Sequence, residues 1–181
     1  LLAAGILLAC GTMFPRVLLV SSLINPALFS KLLLPMSIMM AMVLLSSLVI
    51  WHKKAAQTPT KMTHLINPLE LKSALFFGAL LVLVILLSQA AIDYFGEAGI
   101  YLMAMVSGIA DVDPINLALS RMSTTDLSVN LAALGIVIAA SSNTLIKALL
   151  ATFIGGPGLG MRVLLPLLAA SGVGLTTAWL M

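Results

Sequence analysis

Charged residues are scarce in this chain of 181 residues: only 8% are charged, whereas 61% are hydrophobic and the mean hydropathy is +1.19. A soluble domain averages about 25% charged residues, so this scarcity excludes an ordinary water-exposed surface and predicts an integral membrane protein. The formal net charge of +3 is too small and too dispersed to predict nucleic-acid binding. The single cysteine, Cys10, excludes a disulfide framework and a cysteine metal site.

The chain also lacks an initiator methionine and a charged leading segment, so its opening apolar run does not have the pattern of a signal peptide. We therefore expect a fragment of a longer protein that begins at or just inside a first membrane helix. Residues 1–181 are expected to form a single transmembrane helical domain.

Long apolar segments recur along the chain. A membrane-spanning helix needs about 20 apolar residues, and five segments approach or exceed that length: 1–24, 33–51, 71–92, 127–154 and 163–181. A sixth segment, 98–110, would extend only about 20 Å as a helix and needs a partner in order to cross. The sequence therefore predicts an all-α polytopic membrane protein with about six transmembrane helices.

The connection 52–68 is the clearly polar part of the chain, and it carries three lysines and no acidic residue. The positive-inside rule predicts that this loop is cytoplasmic. Alternation of the spans then predicts that Glu97 lies outside and Arg121 inside, with both ends of the chain on the cytoplasmic side.

Two connections carry the same helix-start signal, an asparagine followed by a proline. They are Asn25-Pro26 and Asn67-Pro68. Asparagine is a good N-cap and proline fits the first helical position, so a helix is predicted to start at each.

An internal repeat is visible when residues 6–50 are aligned without a gap to residues 137–181. Proline and basic positions coincide in the two copies, in the pairs Arg16 and Lys147, Pro26 and Pro157, Lys31 and Arg162, and Pro35 and Pro166. Helices 1–2 and 5–6 would then be equivalent hairpins separated by two crossings. We expect both copies to point the same way, because two crossings restore the direction of the chain.

The motif SGIADVDP interrupts the fourth predicted helix. The residue before a proline is disfavoured in the α region, so Asp113 is predicted to end one helical segment and to cap a second that starts at Pro114. Helix 4 is thus predicted to break near Asp111–Pro114, with Ser107 close to the break. Two carboxylates inside a membrane typically mark an ion pathway; alternatively, they cap a short interfacial helix at the cytoplasmic surface.

A second polar motif, SSNTLIK, places Asn143 and Lys147 on one helix face, since they are four residues apart. The repeat places Thr12 and Arg16 on the equivalent face of helix 1. The two basic residues could look inward and pair with the aspartates, or they could extend toward the outer headgroups.

A stripe of small residues, Ala170, Gly174 and Ala178, favours close helix packing, either within the chain or between subunits. The run GGPGLG lacks the context of a phosphate-binding loop and is predicted to form a tight hairpin turn.

The runs NPLELKSALFFGALL, LSQAAIDYFGEAGIYLMAMVSGIADVDPINLALS and IAASSNTLIKALLA resemble the membrane domain of unknown function numbered 4010. The resemblance covers essentially the whole chain, and its signature positions fall at Asn67, Pro68, Glu70, Ser107, Gly108, Asp111, Asp113, Asn143 and Lys147. It implies a multi-helix protein of the bacterial inner membrane, often preceded by an MgtC/SapB-type domain. It implies no settled activity.

Two functions follow as hypotheses. The first is a transporter or channel-like protein for a cation, which could be magnesium, sodium or a proton. Its ion-binding residues would be Asp111, Asp113, Ser107, Asn143, Lys147 and Arg16, with Asp111 and Asp113 as the metal ligands. The second is a membrane regulator or scaffold that does not transport and binds a partner membrane protein or a second copy of itself. In either case no enzymatic activity and no cofactor other than a bound cation are expected.

Overall fold

The computed structural model describes residues 2–54, 82–83, 86–87, 90 and 94–181. The described residues include no strand, and seven helices are described from end to end. They are α1 (Leu2–Gly11), α2 (Met13–Ile24), α3 (Ala27–Lys54), α4 (Glu97–Ala110), α5 (Val112–Met122), α6 (Val129–Gly155) and α7 (Pro157–Leu180). The predicted all-α membrane class is therefore confirmed.

Among the described residues, four apolar stretches are long enough to cross a membrane: Leu2–Ile24, which joins α1 and α2, Ala27–His52, Val129–Gly155 and Pro157–Leu180. The predicted starts at residues 33 and 163 are too late, because α3 already begins at Ala27 and α7 at Pro157, and both helices continue through an internal proline, Pro35 or Pro166. The predicted span 71–92, most of loop 52–68, and the signature residues Asn67, Pro68 and Glu70 lie outside the described residues.

Two tight connections form where the sequence predicted them. Asn25 Oδ1 accepts a hydrogen bond of 3.0 Å from the Ala27 backbone N–H, which caps the start of α3. Gly156 alone separates α6 from α7 and has a φ of +79°, a conformation that favours glycine. The GGPGLG run is therefore a hairpin turn.

The long helices pack in an antiparallel order. The Ser47 hydroxyl donates to the Ala4 carbonyl at 2.8 Å, so the end of α3 lies beside the start of α1. At the other end of α3, Lys31 Nζ donates to the Met181 carbonyl at 2.9 Å, beside the end of α7. Helix α3 is thus antiparallel to both α1 and α7.

Equivalent positions of the repeat are buried in α3 and α7. Buried positions of α3 are Leu28, Leu32, Met36, Met39 and Val43, and the aligned positions of α7 are Leu159, Val163, Leu167, Ala170 and Gly174, which are all buried except the partly buried Leu159. The same face of each copy therefore forms the core. Because α3 and α7 are antiparallel, the axis that relates the copies is perpendicular to the helices and lies in the membrane plane. The expectation that both copies point the same way is wrong: the repeat is inverted.

The two short helices have opposite directions. Gly108 of α4 lies against Ala139 of α6, and Gly135 of α6 lies near Ile100 of α4. Residue numbers thus increase together along the two helices, so α4 is parallel to α6.

Helix α5 instead follows α2. Asp113 pairs with Arg16 at the start of α5, and Ser123 at its end accepts hydrogen bonds from Asn25 at the end of α2. Helix α5 is therefore parallel to α2. Helix α6 forms a hairpin with α7 and therefore has the same direction as α3, opposite to that of α1 and α2. Since α4 is parallel to α6 and α5 is parallel to α2, α4 and α5 form a hairpin that enters the bundle and returns to the side from which it came. We call α4 and α5 the re-entrant hairpin and Asp111 its tip.

This hairpin changes the predicted topology. We call the membrane side where α3 ends the His52 face and the opposite side the Asn25 face. Glu97 and Arg121 both lie toward the Asn25 face, and the described chain starts at the His52 face and ends at the Asn25 face. The predictions that Arg121 lies on the side of loop 52–68, and that both chain ends share that side, are wrong because α5 returns instead of crossing.

Thiol labelling tests this topology. In a Cys10→Ser background, a membrane-impermeant maleimide applied to intact cells should label Thr124→Cys and leave His52→Cys unlabelled until the membrane is opened. A helix that crossed after the break would place Thr124 with His52, so equal protection of the two cysteines would contradict the re-entrant hairpin.

Candidate functional site

The tip of the re-entrant hairpin lies far from the Asn25 face. Helix α4 has 14 residues and extends about 21 Å from the Asn25 face, which is more than half of a hydrocarbon core of about 30 Å. The residues that meet the tip are also remote from helix ends: Arg16 is eight residues before Ile24, and Asn143 is twelve residues before Gly155. The polar residues of the motif therefore gather near the middle of the membrane.

Asp111 forms the turn between the two short helices. Its backbone is extended, with φ of −161° and ψ of 144°, and its Oδ1 accepts a hydrogen bond of 3.3 Å from the Asp113 N–H. Asp111 is thus the N-cap of α5, and the prediction that Asp113 is the cap is wrong. Pro114 is tolerated in the first turn because the N–H groups there have no intrahelical acceptor.

Asp113 is held by Arg16. The Arg16 Nη2 atom lies 2.9 Å from Asp113 Oδ1 and 2.8 Å from Oδ2, and the Asp113 side chain is 26% exposed. Lys147 and Asp111 are close enough to interact electrostatically with Asp113 as well. The structure thus brings two carboxylates and two basic residues, predicted from separate motifs, into one cluster.

Lys147 is positioned differently from its repeat equivalent. Its Nζ contacts Met13 Sδ at 3.8 Å and has no carboxylate within salt-bridge distance among the described residues. It also lines an apolar cavity of about 390 Å³ between α1, α6 and the start of α7, toward the His52 face; the other lining residues are Ile6, Ala9, Cys10, Leu150, Ala151, Ile154 and Leu159. A second cavity of about 220 Å³ near the Asn25 face is lined by more polar groups, including Glu97 and Ser128.

Asn143 fixes the last turn of α4. Its Nδ2 donates to the Gly108 carbonyl at 3.0 Å, and the side chain is buried. Gly108 makes this approach feasible, because a Cβ atom there would overlap the Ala139 carbonyl. Asn143 Oδ1 has no hydrogen-bond partner among the described residues, although it too is buried. Ser107, also predicted as a site residue, is buried and accepts the Asp111 N–H through its carbonyl at 2.9 Å.

The sequence reasoning missed the polar contacts that attach α5 to α2. The Ser21 hydroxyl donates to Asn116 Oδ1 at 2.6 Å, and Asn116 Nδ2 donates to the Val17 carbonyl at 3.3 Å. Asn116 lies one helical turn after Asp113 and shares its face, which is the sequence signal that could have identified it.

Thr12, the repeat equivalent of Asn143, does not join the cluster. It is exposed, and its hydroxyl donates to the Ala9 carbonyl at the end of α1 at 2.9 Å. No group of three or more metal-ligating His, Cys, Asp or Glu side chains occurs within residues 2–54 and 94–181. A metal bound at Asp111 or Asp113 would therefore need carbonyl, amide or water oxygens as well.

The protein is a polytopic helical membrane protein. Two apolar helix hairpins of opposite direction enclose a third hairpin, which is polar and formed by a broken helix. The model of a domain of unknown function, DUF4010, matches residues 1–155, and the chain belongs to that family. The family resemblance seen in the sequence is thereby confirmed, while the association with an MgtC/SapB-type domain stays a prediction.

An uncharacterized protein of Aquifex aeolicus (strain VF5) is similar to this chain, with 31% identity over 151 residues. The match covers 80% of the chain and 64% of the relative, so the chain spans less than two thirds of that protein's length. No solved structure matches the chain.

Proposed function

We propose that the chain forms the ion pathway of a transporter or channel-like protein for a small cation, with magnesium, sodium and the proton as candidates. The observation that carries the proposal is the break at Asp111, where two carboxylates lie at mid-membrane depth on a hairpin that does not cross. Irregular backbone at this depth occurs where protein or a water-filled cavity surrounds it. Ionisable residues there usually belong to substrate or ion paths.

The inverted repeat supports the same proposal. Transporters are often built from repeats related by an axis in the membrane plane, with the ion site near the midplane beside discontinuous helices. Here the first helices of the two copies, α1–α2 and α6, hold the re-entrant hairpin between them through Arg16 and Asn143.

A mechanism follows from the unequal surroundings of Arg16 and Lys147. The repeat makes these residues equivalent, yet Arg16 holds Asp113 whereas Lys147 faces an apolar cavity. Alternating access in transporters built from such repeats moves one repeat against the other around the ion site and so produces a second state. We expect Asp113 to leave Arg16 and pair with Lys147 in that state, which would open the pathway toward the His52 face.

The proton is the first ion to test. It needs only one carboxylate oxygen, whereas Mg²⁺ demands near-octahedral coordination and releases its water reluctantly. The location that we propose is the bacterial inner membrane, in agreement with the family resemblance and the relative in Aquifex aeolicus.

The rival function, a regulator that binds a partner membrane protein, has less support. Its candidate contact face was the stripe Ala170, Gly174 and Ala178. Ala170 is fully buried, Gly174 lies against Met39 of α3, and Ala178 is partly buried against the core. That stripe is engaged inside the chain.

Proton flux into proteoliposomes tests the proposal. The purified protein, reconstituted around a trapped pH indicator, should conduct protons down an imposed gradient. Asp111→Asn should reduce the rate at least tenfold, because asparagine retains the N-cap and removes the charge. Lys147→Met should also slow flux and should lower the melting temperature less than Arg16→Gln, because Lys147 has no carboxylate within salt-bridge distance among the described residues.

Asp126→Asn is the matched control, since Asp126 is an exposed carboxylate in the loop after α5, where it accepts a hydrogen bond from Thr125. It should leave the rate unchanged. Flux equal to that of empty vesicles, across proton, sodium and magnesium gradients, would reject the transport function and favour the regulator.

A further inference from the structure

The last turn of α4 presents a group of oxygen atoms at the tip of the re-entrant hairpin. The last four carbonyl groups of a helix have no intrahelical donor. In α4 the Ser107 carbonyl accepts from the Asp111 N–H at 2.9 Å and the Gly108 carbonyl accepts from Asn143 Nδ2 at 3.0 Å. The carbonyls of Ile109 and Ala110 follow, at the negative end of the helix dipole.

Asn143 adds an oxygen to this group. Its Nδ2 is bound to the Gly108 carbonyl, so Oδ1 of the same amide lies beside the last turn of α4. Asn143 is only 3% exposed, and Oδ1 has no hydrogen-bond partner in the described part of the chain. A buried carbonyl-type oxygen without a donor is costly, and a cation at this position would satisfy it.

The two carboxylates at the tip are not equivalent. Asp113 is engaged through both oxygens by Arg16, so its charge is already compensated. Asp111 has no basic partner within salt-bridge distance among the described residues, and its carboxylate accepts only the Asp113 N–H at a long 3.3 Å. Asp111 follows Gly108 by three residues, at the end of the helical turn whose Gly108 carbonyl the Asn143 amide contacts.

We infer that the tip binds a monovalent alkali cation through Asp111, Asn143 Oδ1 and the free carbonyls at the end of α4, while the Arg16–Asp113 pair holds the hairpin in place and does not coordinate the ion. The two carboxylates and two basic residues of the cluster together carry no net charge, so a bound cation adds its whole charge at the tip and a monovalent ion adds the least. A divalent ion would add twice as much positive charge near Arg16 and Lys147. Helix C-termini and unwound carbonyls are the groups with which transporters coordinate sodium.

This inference rests on the proposed function and names its substrate class. The test is binding of ²²Na⁺ to the purified full chain in detergent, in choline chloride buffer of constant ionic strength. Bound ²²Na⁺ should be displaced by unlabelled Na⁺ and not by choline. Mg²⁺ should compete at least tenfold more weakly than Na⁺.

Three variants locate the site. Asp111→Asn and Asn143→Ala should each lower ²²Na⁺ binding at least tenfold, whereas Asp126→Asn, at an exposed carboxylate in the loop after α5, should bind like the original. Asp111→Asn retains the helix cap, so it decides the result if Asn143→Ala loses its monodisperse gel-filtration peak. Absence of ²²Na⁺ binding, or binding that Asp111→Asn leaves intact, would overturn the inference.

The ²²Na⁺ binding assay and the flux assay test different claims, and their outcomes can be told apart. Proton flux without ²²Na⁺ binding overturns the sodium site and leaves the transport function standing. Binding at Asp111 without flux of any ion leaves the site standing and rejects transport.

Discussion

Neutralising one member of the Arg16–Asp113 pair should destabilise the protein more than neutralising both. Arg16→Gln leaves a lone carboxylate, and Asp113→Asn leaves a lone guanidinium, at mid-membrane depth. Insertion scales put an isolated Arg or Asp at a helix centre at about 2.5–3.5 kcal/mol. We expect a loss of about 2.5 kcal/mol for each single variant, at the lower end of that range.

The double variant Arg16→Gln/Asp113→Asn removes both charges together. Replacing a whole ion pair is often neutral, whereas breaking one leaves an uncompensated charge. The double variant should therefore unfold at a higher denaturant concentration than either single variant, as measured by reversible unfolding in mixed micelles. Arg162→Gln is a suitable control, because Arg162 lies in the second turn of α7, is exposed and has no acidic partner among the described residues.

Strictly additive losses in this cycle would show that the two side chains do not stabilise each other. That result would instead favour the alternative in which the Arg16 side chain extends toward the lipid headgroups. A positive coupling would instead support a hairpin that is held by a charge pair and can be released by a partner exchange.

The position of the break was predictable from the sequence, and the direction of the chain after it was not. A proline and two carboxylates within four residues disfavour a continuous apolar helix wherever they occur. A helix that crosses and one that returns, however, have the same hydropathy and the same capping signals. The choice depends on contacts between segments that are distant in sequence, such as Ser21 with Asn116 and Asn25 with Ser123.

The existence of the repeat was predictable from the sequence, and the relative direction of its two copies was not. Its prolines and basic residues were visible in the sequence, but its sense depended on the number of crossings between the copies. Counting α4 and α5 as one crossing gave a parallel repeat, and the hairpin makes it inverted. The inversion also moves Lys147 and Arg162 toward the His52 face, where α3 ends, so that more of the basic residues of the described chain lie on one side, as the positive-inside rule expects.

Some residue roles in the site were predictable from the sequence and others were not. Spacing alone placed Asn143 and Lys147 on one face of α6, and the repeat associated Lys147 with Arg16. Which basic residue holds Asp113, and which aspartate is the cap, depended on the turn geometry at Asp111. The choice of cap is a difference of two residues, and the choice of basic partner depends on contacts between segments that are distant in sequence, so periodicity resolves neither.

Replacing Gly108 with alanine should disrupt the site more than any other single methyl addition to α4. The added Cβ would overlap the Ala139 carbonyl and lie 2.9 Å from the Ala139 Cα, and both are backbone atoms that cannot rotate away. Overpacking of this kind typically costs 1–3 kcal/mol, so Gly108→Ala should lower the free energy of unfolding by about 2 kcal/mol. The displaced helix would also carry the Gly108 carbonyl away from Asn143 Nδ2.

Gly172→Ala is the matched control, since Gly172 lies inside α7 and a Cβ there would meet no atom within 4 Å. Alanine is a better helix former than glycine by about 1 kcal/mol, so this control should be neutral or slightly stabilising. Both variants can be compared by unfolding in mixed micelles and by ²²Na⁺ binding. If Gly108→Ala matched the control in both measurements, α4 would not pack against α6 as closely as the Asn143–Gly108 contact requires. If it lost stability and ²²Na⁺ binding together, that close approach would be what assembles the oxygen atoms of the site.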